Sequence, residues 1–414
     1  MEKASASQPV MSERRVGIIG ACLAMIGPFS MAVYTPAMPE IVTAFGTTAA
    51  AVKLSLSLYF AGFAFAQLVC GPLSDGLGRR PVTIAFMGIY TLASVFALLA
   101  PSIEWLIAAR LLQGVGAAVG IAVSRAIVRD LFTQDQSARI MNLIGTILVI
   151  GPALAPTIGG LTMELFGWHA IFLVMALAGM GIALMTVFAM RETVAADLSR
   201  IRPAALARSY ASLLGSAYFI AASLTNAGTT GALYALATML PFVLMDRAGL
   251  SPAQFGLAML VQSLSFFCGT LVLRVLMRRR PAASLVPVGL CSVAIGSALL
   301  AVVLRLAAPS VVTVMLPVGF IAFGIAFVVS AMTTAALAPY PANAGAAAAL
   351  VGFLQMGAGM AGGSVAATIG DPVQAVATVI PLMGAMSIAS WLVWRRLPQP
   401  PAAHGPEPDA MPPA

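Results

Sequence analysis

The sequence is poor in charge, in histidine and in cysteine. Charged residues make up 9% of its 414 residues, whereas a soluble domain has about a quarter, so a water-soluble globular protein is excluded. The two histidines, His169 and His404, leave almost nothing for a metal centre or for histidine-assisted nucleophilic catalysis within the membrane. The cysteines fall in or beside apolar segments, which favours packing over a disulfide framework. They are Cys22, Cys70, Cys268 and Cys291.

Long apolar runs dominate the chain instead. Hydrophobic residues make up 60% of it, and its mean hydropathy is +0.98. Runs of about 20 residues are long enough to cross the hydrocarbon core as helices. We therefore predict an all-α membrane protein with twelve transmembrane helices in two six-helix bundles. The predicted spans are 16–38, 49–70, 82–101, 105–127, 140–162, 168–190, 215–243, 252–274, 283–305, 310–336, 344–368 and 373–394.

A polar, basic stretch divides the spans into two halves. We predict an N-terminal tail at 1–15, a first bundle at 16–190, a central loop at 191–212, a second bundle at 213–396 and a disordered Pro- and Ala-rich tail at 397–414. Parallel half-repeats of this kind build a midplane site between two rocking bundles.

The basic residues predict the orientation. The large majority of the 22 lie in segments on the same side as the N-terminus, and only Lys53, Arg247 and Arg305 are assigned to the opposite side. By the positive-inside rule both termini are expected in the cytoplasm of a bacterium, with the protein in the inner membrane. The net charge of +8 therefore indicates an anionic membrane surface rather than nucleic acid.

One stretch between spans 2 and 3 combines glycines with opposite charges. It runs from Gly71 through Asp75 and Gly78 to Arg79 and Arg80, and we predict a short polar hinge in which Asp75 pairs with Arg79. An ordinary basic loop is the alternative. The order Gly–xxx–Asp–xx–Gly–Arg–Arg resembles the loop between spans 2 and 3 of the major facilitator superfamily. That resemblance implies a cytoplasmic latch between the two halves.

Span 4 carries an arginine inside the membrane. Arg110 and Gln113 are three residues apart and so share a helix face, and the small residues that follow suit close packing. Intramembrane ionisable groups are usually functional, although an arginine that snorkels to the interface is the alternative. The Arg-xx-Gln-Gly order also resembles a superfamily motif, which implies a cavity-facing arginine tied to proton coupling and substrate binding.

Span 5 combines prolines with rows of small residues. Gly151 and Gly159 lie in one row, and Pro152, Pro156 and Gly160 in the next, so the helix is expected to bend and to pack closely on a neighbour. A kinked packing helix explains this pattern by itself. The pattern also resembles the superfamily's antiporter motif, which implies export rather than import.

Segments along almost the whole chain narrow the resemblance further. Residues 34–39, 124–132, 241–244, 249–252 and 344–355 are similar to the Bcr/CflA drug exporters, a group that includes bicyclomycin, chloramphenicol and florfenicol efflux proteins. One departure concerns Ala32, because that group usually has an aspartate there. No acidic residue is predicted deep in a span. Proton coupling through a carboxylate at a span end, coupling through Arg110, and loss of coupling all remain open.

We expect a monomeric transporter that exports small and largely apolar molecules by alternating access. Protons are the expected counter-ion. We do not expect an enzyme, a cofactor or a metal. Polar or aromatic residues within spans are the candidate cavity lining, although each is as easily lipid-facing or an interhelical hydrogen-bond partner. They are Tyr34, Tyr59, Phe63, Gln67, Asn226, Tyr234, Gln262 and Gln355. The alternatives are a superfamily importer or exporter of one metabolite and, more remotely, a non-transporting membrane sensor or enzyme.

Overall fold

The computed structural model describes residues 10–198 and 201–400, and within these ranges every regular element is helical. Most of the predicted N-terminal tail, Arg200 of the predicted central loop, and residues 401–414 of the predicted C-terminal tail lie outside the described residues. The fold is therefore the predicted all-α membrane class.

Twelve long helices form the body of the described chain. Eleven are apolar and long enough to cross a membrane, and the twelfth, α5, has 33 residues, where about 20 suffice. They are α1 (Glu13–Ala44, with a 3-10 turn at Thr35–Ala37), α2 (Ala49–Leu77), α3 (Arg79–Leu98), α4 (Ile103–Leu131, interrupted at Ala118), α5 (Gln134–Phe166), α6 (Trp168–Ala189), α7 (Ala217–Arg247, ending in a π-helical turn), α8 (Pro252–Leu276), α9 (Ala282–Leu306), α10 (Val311–Leu337), α11 (Ala344–Ile369) and α12 (Pro372–Trp394).

Large apolar side chains remain exposed along these helices. Phe65, Leu92, Phe188 and Leu306 are between 61% and 82% exposed. A water-soluble protein rarely leaves so much apolar surface uncovered, whereas a bilayer solvates it. The exposed surface therefore agrees with a membrane location.

Polar side chains fix the ends of several helices. Ser251 and Gln254 form a capping box at the start of α8, and the Asp371 carboxylate accepts hydrogen bonds from the Val373 and Gln374 amides at the start of α12. These caps satisfy amides that the helix itself leaves without partners. The chain therefore turns sharply between α7 and α8 and between α11 and α12.

The predicted hinge between spans 2 and 3 is wrong in its extent. Residues 71–77 continue α2, and only Gly78 separates α2 from α3. Pro72 does not end the helix, since a proline removes only one backbone hydrogen bond and buried helices tolerate this loss. Gly78 has a φ of +102°, which residues with a side chain rarely adopt, and so it makes the turn.

The two halves, α1–α6 and α7–α12, each contain a large hydrophobic core, and that of the first half also includes Ala237 and Phe242 of α7 and Met356 of α11. They meet mainly along two seams, α2 against α11 and α5 against α8. We call the end of the molecule with the α2–α3 turn the Gly78 end, and the end with the α5–α6 turn the Gly167 end. The halves are thus two bundles joined along two seams.

A short helix, Pro203–Leu214, connects the halves at the Gly78 end, and we call it the linker helix. The sequence predicted only a polar loop there. The Tyr210 hydroxyl donates a 2.6 Å hydrogen bond to the Leu68 carbonyl of α2. Burial raises the pKa of Tyr210 to about 12, so the hydroxyl stays protonated and keeps donating. The linker helix is thereby attached to the first half.

Candidate functional site

A fully buried arginine lies at the centre of the first half. Arg110 of α4 has 0% exposure, and its guanidinium lies between the rings of Tyr34 and Tyr59, 4.4 Å from each ring centroid. Its Nη1 donates a 2.7 Å hydrogen bond to Oε1 of Gln113, and Nε2 of Gln113 donates to Ser94 at 2.8 Å. Two cation–π contacts and an amide thus solvate the charge. The predicted shared face of Arg110 and Gln113 is confirmed.

Close helix packing places the two tyrosines on the guanidinium. A side chain at Gly114 would overlap the Tyr59 carbonyl, and one at Gly62 would overlap the Leu111 carbonyl. The backbones of α2 and α4 can therefore cross in contact, which brings the Tyr59 ring to Arg110. The Tyr59 hydroxyl donates to the Gly27 carbonyl at 2.8 Å, which fixes the ring from the α1 side. The close packing predicted for the small residues of span 4 is confirmed.

Arg110 does not face an open cavity in this conformation, contrary to the sequence prediction. Tyr34 and Tyr59 cover both faces of the guanidinium, because stacking on two aromatic rings replaces the water that a buried cation loses. No carboxylate forms an ion pair with it among the described residues, and its Nε and Nη2 have no hydrogen-bond partner there. The site is a positive charge without a counter-charge.

The remaining candidate lining residues divide into three environments. Phe63 packs beside Tyr59, with ring centroids 6.3 Å apart. Asn226 is an interhelical partner, since its amide donates to Thr333 of α10 at 2.8 Å. Gln67 borders a cavity between the halves and lies against Gly352 of α11.

Three predicted lining residues of the second half lie apart from Arg110. The Tyr234 ring is 5.4 Å from that of Phe60 across the seam between the halves. Gln262 and Gln355 are half-buried, and Oε1 of Gln262 has no partner among the described residues. The structure therefore groups Tyr34, Tyr59 and Phe63 around Arg110, whereas Gln67 lies at the cavity between the halves and the second-half candidates lie in different places.

The predicted ion pair at the Gly78 end is confirmed, and more charged residues take part in it than predicted. Arg79 pairs with Asp75, as expected, and its Nε also contacts Asp130 of α4 at 3.1 Å. Asp130 lies beyond the end of the predicted span 105–127. Glu192 caps α3 by accepting hydrogen bonds from the backbone amides of Arg79 and Arg80 at 2.8 and 3.0 Å. These contacts join the ends of α2, α3 and α4 to the chain that follows α6.

Two residues of the predicted latch behave differently from the sequence expectation. Gly71 has no neighbour within 4 Å of the position where a Cβ would stand, so no close packing depends on this glycine. Arg80 donates to the Val187 carbonyl of α6 at 2.7 Å. The side-chain contacts described for Arg79 and Arg80 are therefore within the first half.

The glycine and proline rows of α5 serve two different seams. Gly151 and Gly159 pack on α1, against Met25 and Val33, whereas Gly160 packs on the Pro252 backbone of α8. The close packing predicted for this helix is therefore confirmed, and the Pro152 side chain lies outside the described residues.

Contacts between α5 and α8 close the Gly167 end. The Glu164 carboxylate accepts hydrogen bonds from the Ser251 hydroxyl at 3.2 Å and from the Ala253 amide at 3.1 Å, and Thr157 donates to the Gly256 carbonyl at 3.0 Å. A carboxylate at the start of a helix is favourable because it meets unpaired amides and the positive end of the helix dipole. Sequence reasoning missed this role of Glu164, because nothing local indicates the partner helix.

Two cavities open at the Gly78 end. The larger, about 630 Å³, lies beneath the linker helix. The smaller, about 230 Å³, lies between α2 and α4 of the first half and α11 of the second, and we call it the inter-half cleft. The molecule is thus closed between the halves at the Gly167 end and has its described cavities at the other.

The profile of the Major Facilitator Superfamily matches residues 20–364 of this sequence. The chain belongs to this superfamily. Superfamily members are multi-pass membrane proteins that carry small molecules, which agrees with the long apolar helices and with two cores joined along two seams.

Several known superfamily relatives are similar over most of their length. The uncharacterized MFS-type transporter YdgK of Bacillus subtilis is 31% identical over 339 residues, which are 81% of this chain and 84% of that protein. Multidrug resistance protein D of Escherichia coli is 28% identical over 372 residues, 89% of this chain and 93% of that protein. The multidrug resistance protein MdtL of a Shewanella strain is 28% identical over 335 residues, 81% and 84% of the two chains.

A solved structure shares the superfamily fold. It is a bacterial homologue of the human lysosomal transporter Spinster in an inward-facing, unoccupied conformation, with a TM-score of 0.66 and 17% identity over 92% of this chain and 95% of the other. At this identity the likeness concerns the fold alone.

Lys53 is a further buried charge of this superfamily member, which the sequence analysis counted only for the orientation. It lies within α2, in agreement with the predicted span 49–70, and is 1% exposed. Its ammonium is 5.3 Å from the centroid of the Phe242 ring of α7, in the other half. A long side chain can bury its stem and place its charge on an aromatic face, which the local sequence does not reveal.

Proposed function

We propose that this protein exports small, largely apolar drugs or metabolites across the bacterial inner membrane by alternating access, as a monomer of the Bcr/CflA type. Transport rather than catalysis is the proposed activity. Similarity to proteins named for multidrug resistance supports the substrate class. In this proposal the Gly78 end and both termini face the cytoplasm, because the basic residues concentrate at that end.

The closed Gly167 end is the observation that carries the alternating-access proposal. Glu164 and Gly160 of α5 hold the start of α8, while the inter-half cleft opens at the opposite end. In the proposed cycle the halves rock about the α2–α11 and α5–α8 seams, so that these contacts break when the Gly167 end opens. With the Gly78 end in the cytoplasm, this structure represents the inward-facing state of the proposed cycle.

We further propose that Arg110 links the substrate to proton antiport. Ala32 supplies no carboxylate at the position where the resembling exporters have one. Arg110 is then the fully buried charge at the centre of the first half, and Tyr34 and Tyr59 shield it. A substrate that displaces these rings changes the solvation of the guanidinium. Because a guanidinium keeps its proton, the exchanged proton is carried in this proposal by a carboxylate at a span end, whose protonation responds to that change.

Drug export from an expressing strain tests the proposal. We expect a strain expressing the protein to tolerate a panel that includes chloramphenicol, and an Arg110→Ala variant to lose this tolerance at equal membrane abundance. Arg278→Gln is the matched control, because Arg278 is exposed beyond the end of α8. Drug accumulation after addition of a proton uncoupler tests the coupling. Unchanged susceptibility to the whole panel would overturn the drug-export proposal.

A further inference from the structure

The two walls of the inter-half cleft differ in charge. The wall from the second half consists of small uncharged residues of α11, namely Ala344, Gly345, Ala346, Ala348 and Ala349. The wall from the first half carries Asp75 and three arginines, Arg79, Arg125 and Arg129. All the charged residues that line this cleft therefore belong to the first half.

Two of these arginines have no counter-charge. Arg79 pairs with both Asp75 and Asp130, so these three groups together carry one net negative charge. Arg125 and Arg129, one helical turn apart on α4, form no hydrogen bond or ion pair with another side chain within residues 10–198 and 201–400. Like charges at this spacing destabilise a helix. With Arg125 and Arg129 included, the charged groups of the first-half wall and Asp130 carry one net positive charge.

A helix-end or membrane-surface role does not explain where these arginines lie. Either role is satisfied by a basic residue on any face of α4. Arg125 and Arg129 instead both border the cleft between the halves, which is the opening that the proposed transport path uses. A cleft with apolar walls focuses the field of such charges and selects solutes by sign.

The interior of the first half has the same sign. Beyond the cleft, the buried charge of α4 is Arg110, and among the described residues no carboxylate pairs with it. The Glu164 and Asp371 carboxylates lie at the Gly167 end, where each caps a helix. A cationic solute entering from the cleft therefore meets Arg129, Arg125 and Arg110 of α4, none of which forms an ion pair with a carboxylate among the described residues.

We propose, on the basis of the proposed transport function, that the path accepts neutral and anionic amphiphiles and rejects cations, and that Arg125 and Arg129 bind the anionic group at the inter-half cleft. The apolar part of the ligand packs on the alanines of α11, and its carboxylate, sulfonate or phosphate contacts the two guanidinium groups. An anionic lipid headgroup has the same chemistry as such a solute.

Binding of a matched probe series tests this assignment. The full chain in phosphatidylcholine nanodiscs is titrated with three naphthalene derivatives that differ only in bearing a sulfonate, a sulfonamide or a trimethylammonium group, and their fluorescence is followed. We expect the sulfonate to bind roughly tenfold more tightly than the ammonium compound. In the double variant Arg125→Gln, Arg129→Gln this ratio falls to about one. The control Arg278→Gln, Arg279→Gln removes two exposed charges elsewhere and keeps the ratio.

Sulfonamide affinity shows whether each variant is folded. If the double variant loses that affinity, the single variant Arg125→Gln replaces it, with an intermediate ratio expected. Equal binding of sulfonate and ammonium by the unmodified protein, or an unchanged ratio in a folded cleft variant, overturns the proposal. Because binding is measured without transport, these outcomes are distinct from failure to export chloramphenicol, which counts against the proposed function alone.

Addition of phosphatidylglycerol to the nanodiscs distinguishes the two sources of the anion. If lipid headgroups occupy the cleft, the sulfonate affinity falls in the unmodified protein but not in the cleft variant. If the affinity is unchanged, the cleft takes a soluble anion. Both results support an anion site at Arg125 and Arg129.

Discussion

A single methyl group at Gly160 should open the Gly167 end. Gly160 of α5 lies against the backbone of α8, and a Cβ there would overlap the Pro252 carbonyl oxygen. The same Cβ would lie 2.8 Å from the Pro252 carbonyl carbon and 3.1 Å from the Ala253 Cα. These neighbours are backbone atoms of the other half, so no side-chain rotation can relieve the overlap. The Gly160→Ala variant therefore strains the conformation in which the Gly167 end is closed. It adds no strain to a conformation in which α5 and α8 have separated.

The size of the effect follows from the overlap. Carbon atoms pack at about 3.5–4.0 Å, so α5 and α8 must separate by roughly 1 Å. Overpacking of this kind costs about 1–3 kcal/mol. A value of about 2 kcal/mol changes the ratio of the two conformations roughly 30-fold. The Gly-to-Ala gain in helix propensity applies to both states and cancels.

Cysteine labelling measures this shift. Ser57 of α2 is 0% exposed and lies against Gly363 of α11, so a Ser57→Cys thiol should react with a hydrophilic maleimide only when the Gly167 end opens. The four native cysteines are first replaced by serine, and the protein is labelled in nanodiscs. We expect Gly160→Ala to raise the labelling rate roughly tenfold or more.

Gly145→Ala is the matched control on the same helix, because nothing lies within 4 Å of its Cβ position. Its labelling rate should equal that of the parent. Gly256→Ala is the reciprocal change on α8, where a Cβ would lie 2.6 Å from the Thr157 Cα, and it should act as Gly160→Ala does. Equal rates for Gly160→Ala and Gly145→Ala would refute the reasoning.

Three further predictions concern the charged groups. Arg110→Lys should abolish most drug export at normal membrane abundance, because a compact ammonium cannot contact both rings and hold the amide as the guanidinium does; export at the parent rate would contradict this. Asp130→Asn should lower the free energy of unfolding by about 1–3 kcal/mol, measured by thermal denaturation, since Arg79 is buried and loses a charged partner; an unchanged melting temperature would show that the contact is dispensable. Glu164→Gln weakens the hydrogen bond from the Ala253 amide across the halves and should raise Ser57→Cys labelling about threefold, and slower labelling would exclude it as a closing contact.

The local sequence pattern predicted a contact correctly where both residues lie on the same helix. Arg110 and Gln113 share a face because they are three residues apart, and their hydrogen bond follows from that spacing. Asp75 and Arg79 pair for the same kind of reason. The error at residues 71–77 came from interpreting a polar stretch between two apolar segments as a hinge, although the helix continues through it to Leu77.

The sequence by itself determined that the chain forms about a dozen membrane-length helices in two halves, since the bilayer leaves an apolar run no alternative to hydrogen-bonding its own backbone. Only the tertiary structure decided that Tyr34 and Tyr59 enclose Arg110, that Lys53 meets Phe242, and that Glu164 caps α8 of the other half. Each of these contacts joins residues from different helices. Their geometry depends on how helices cross and on which end of the two halves is closed, and helical periodicity specifies neither.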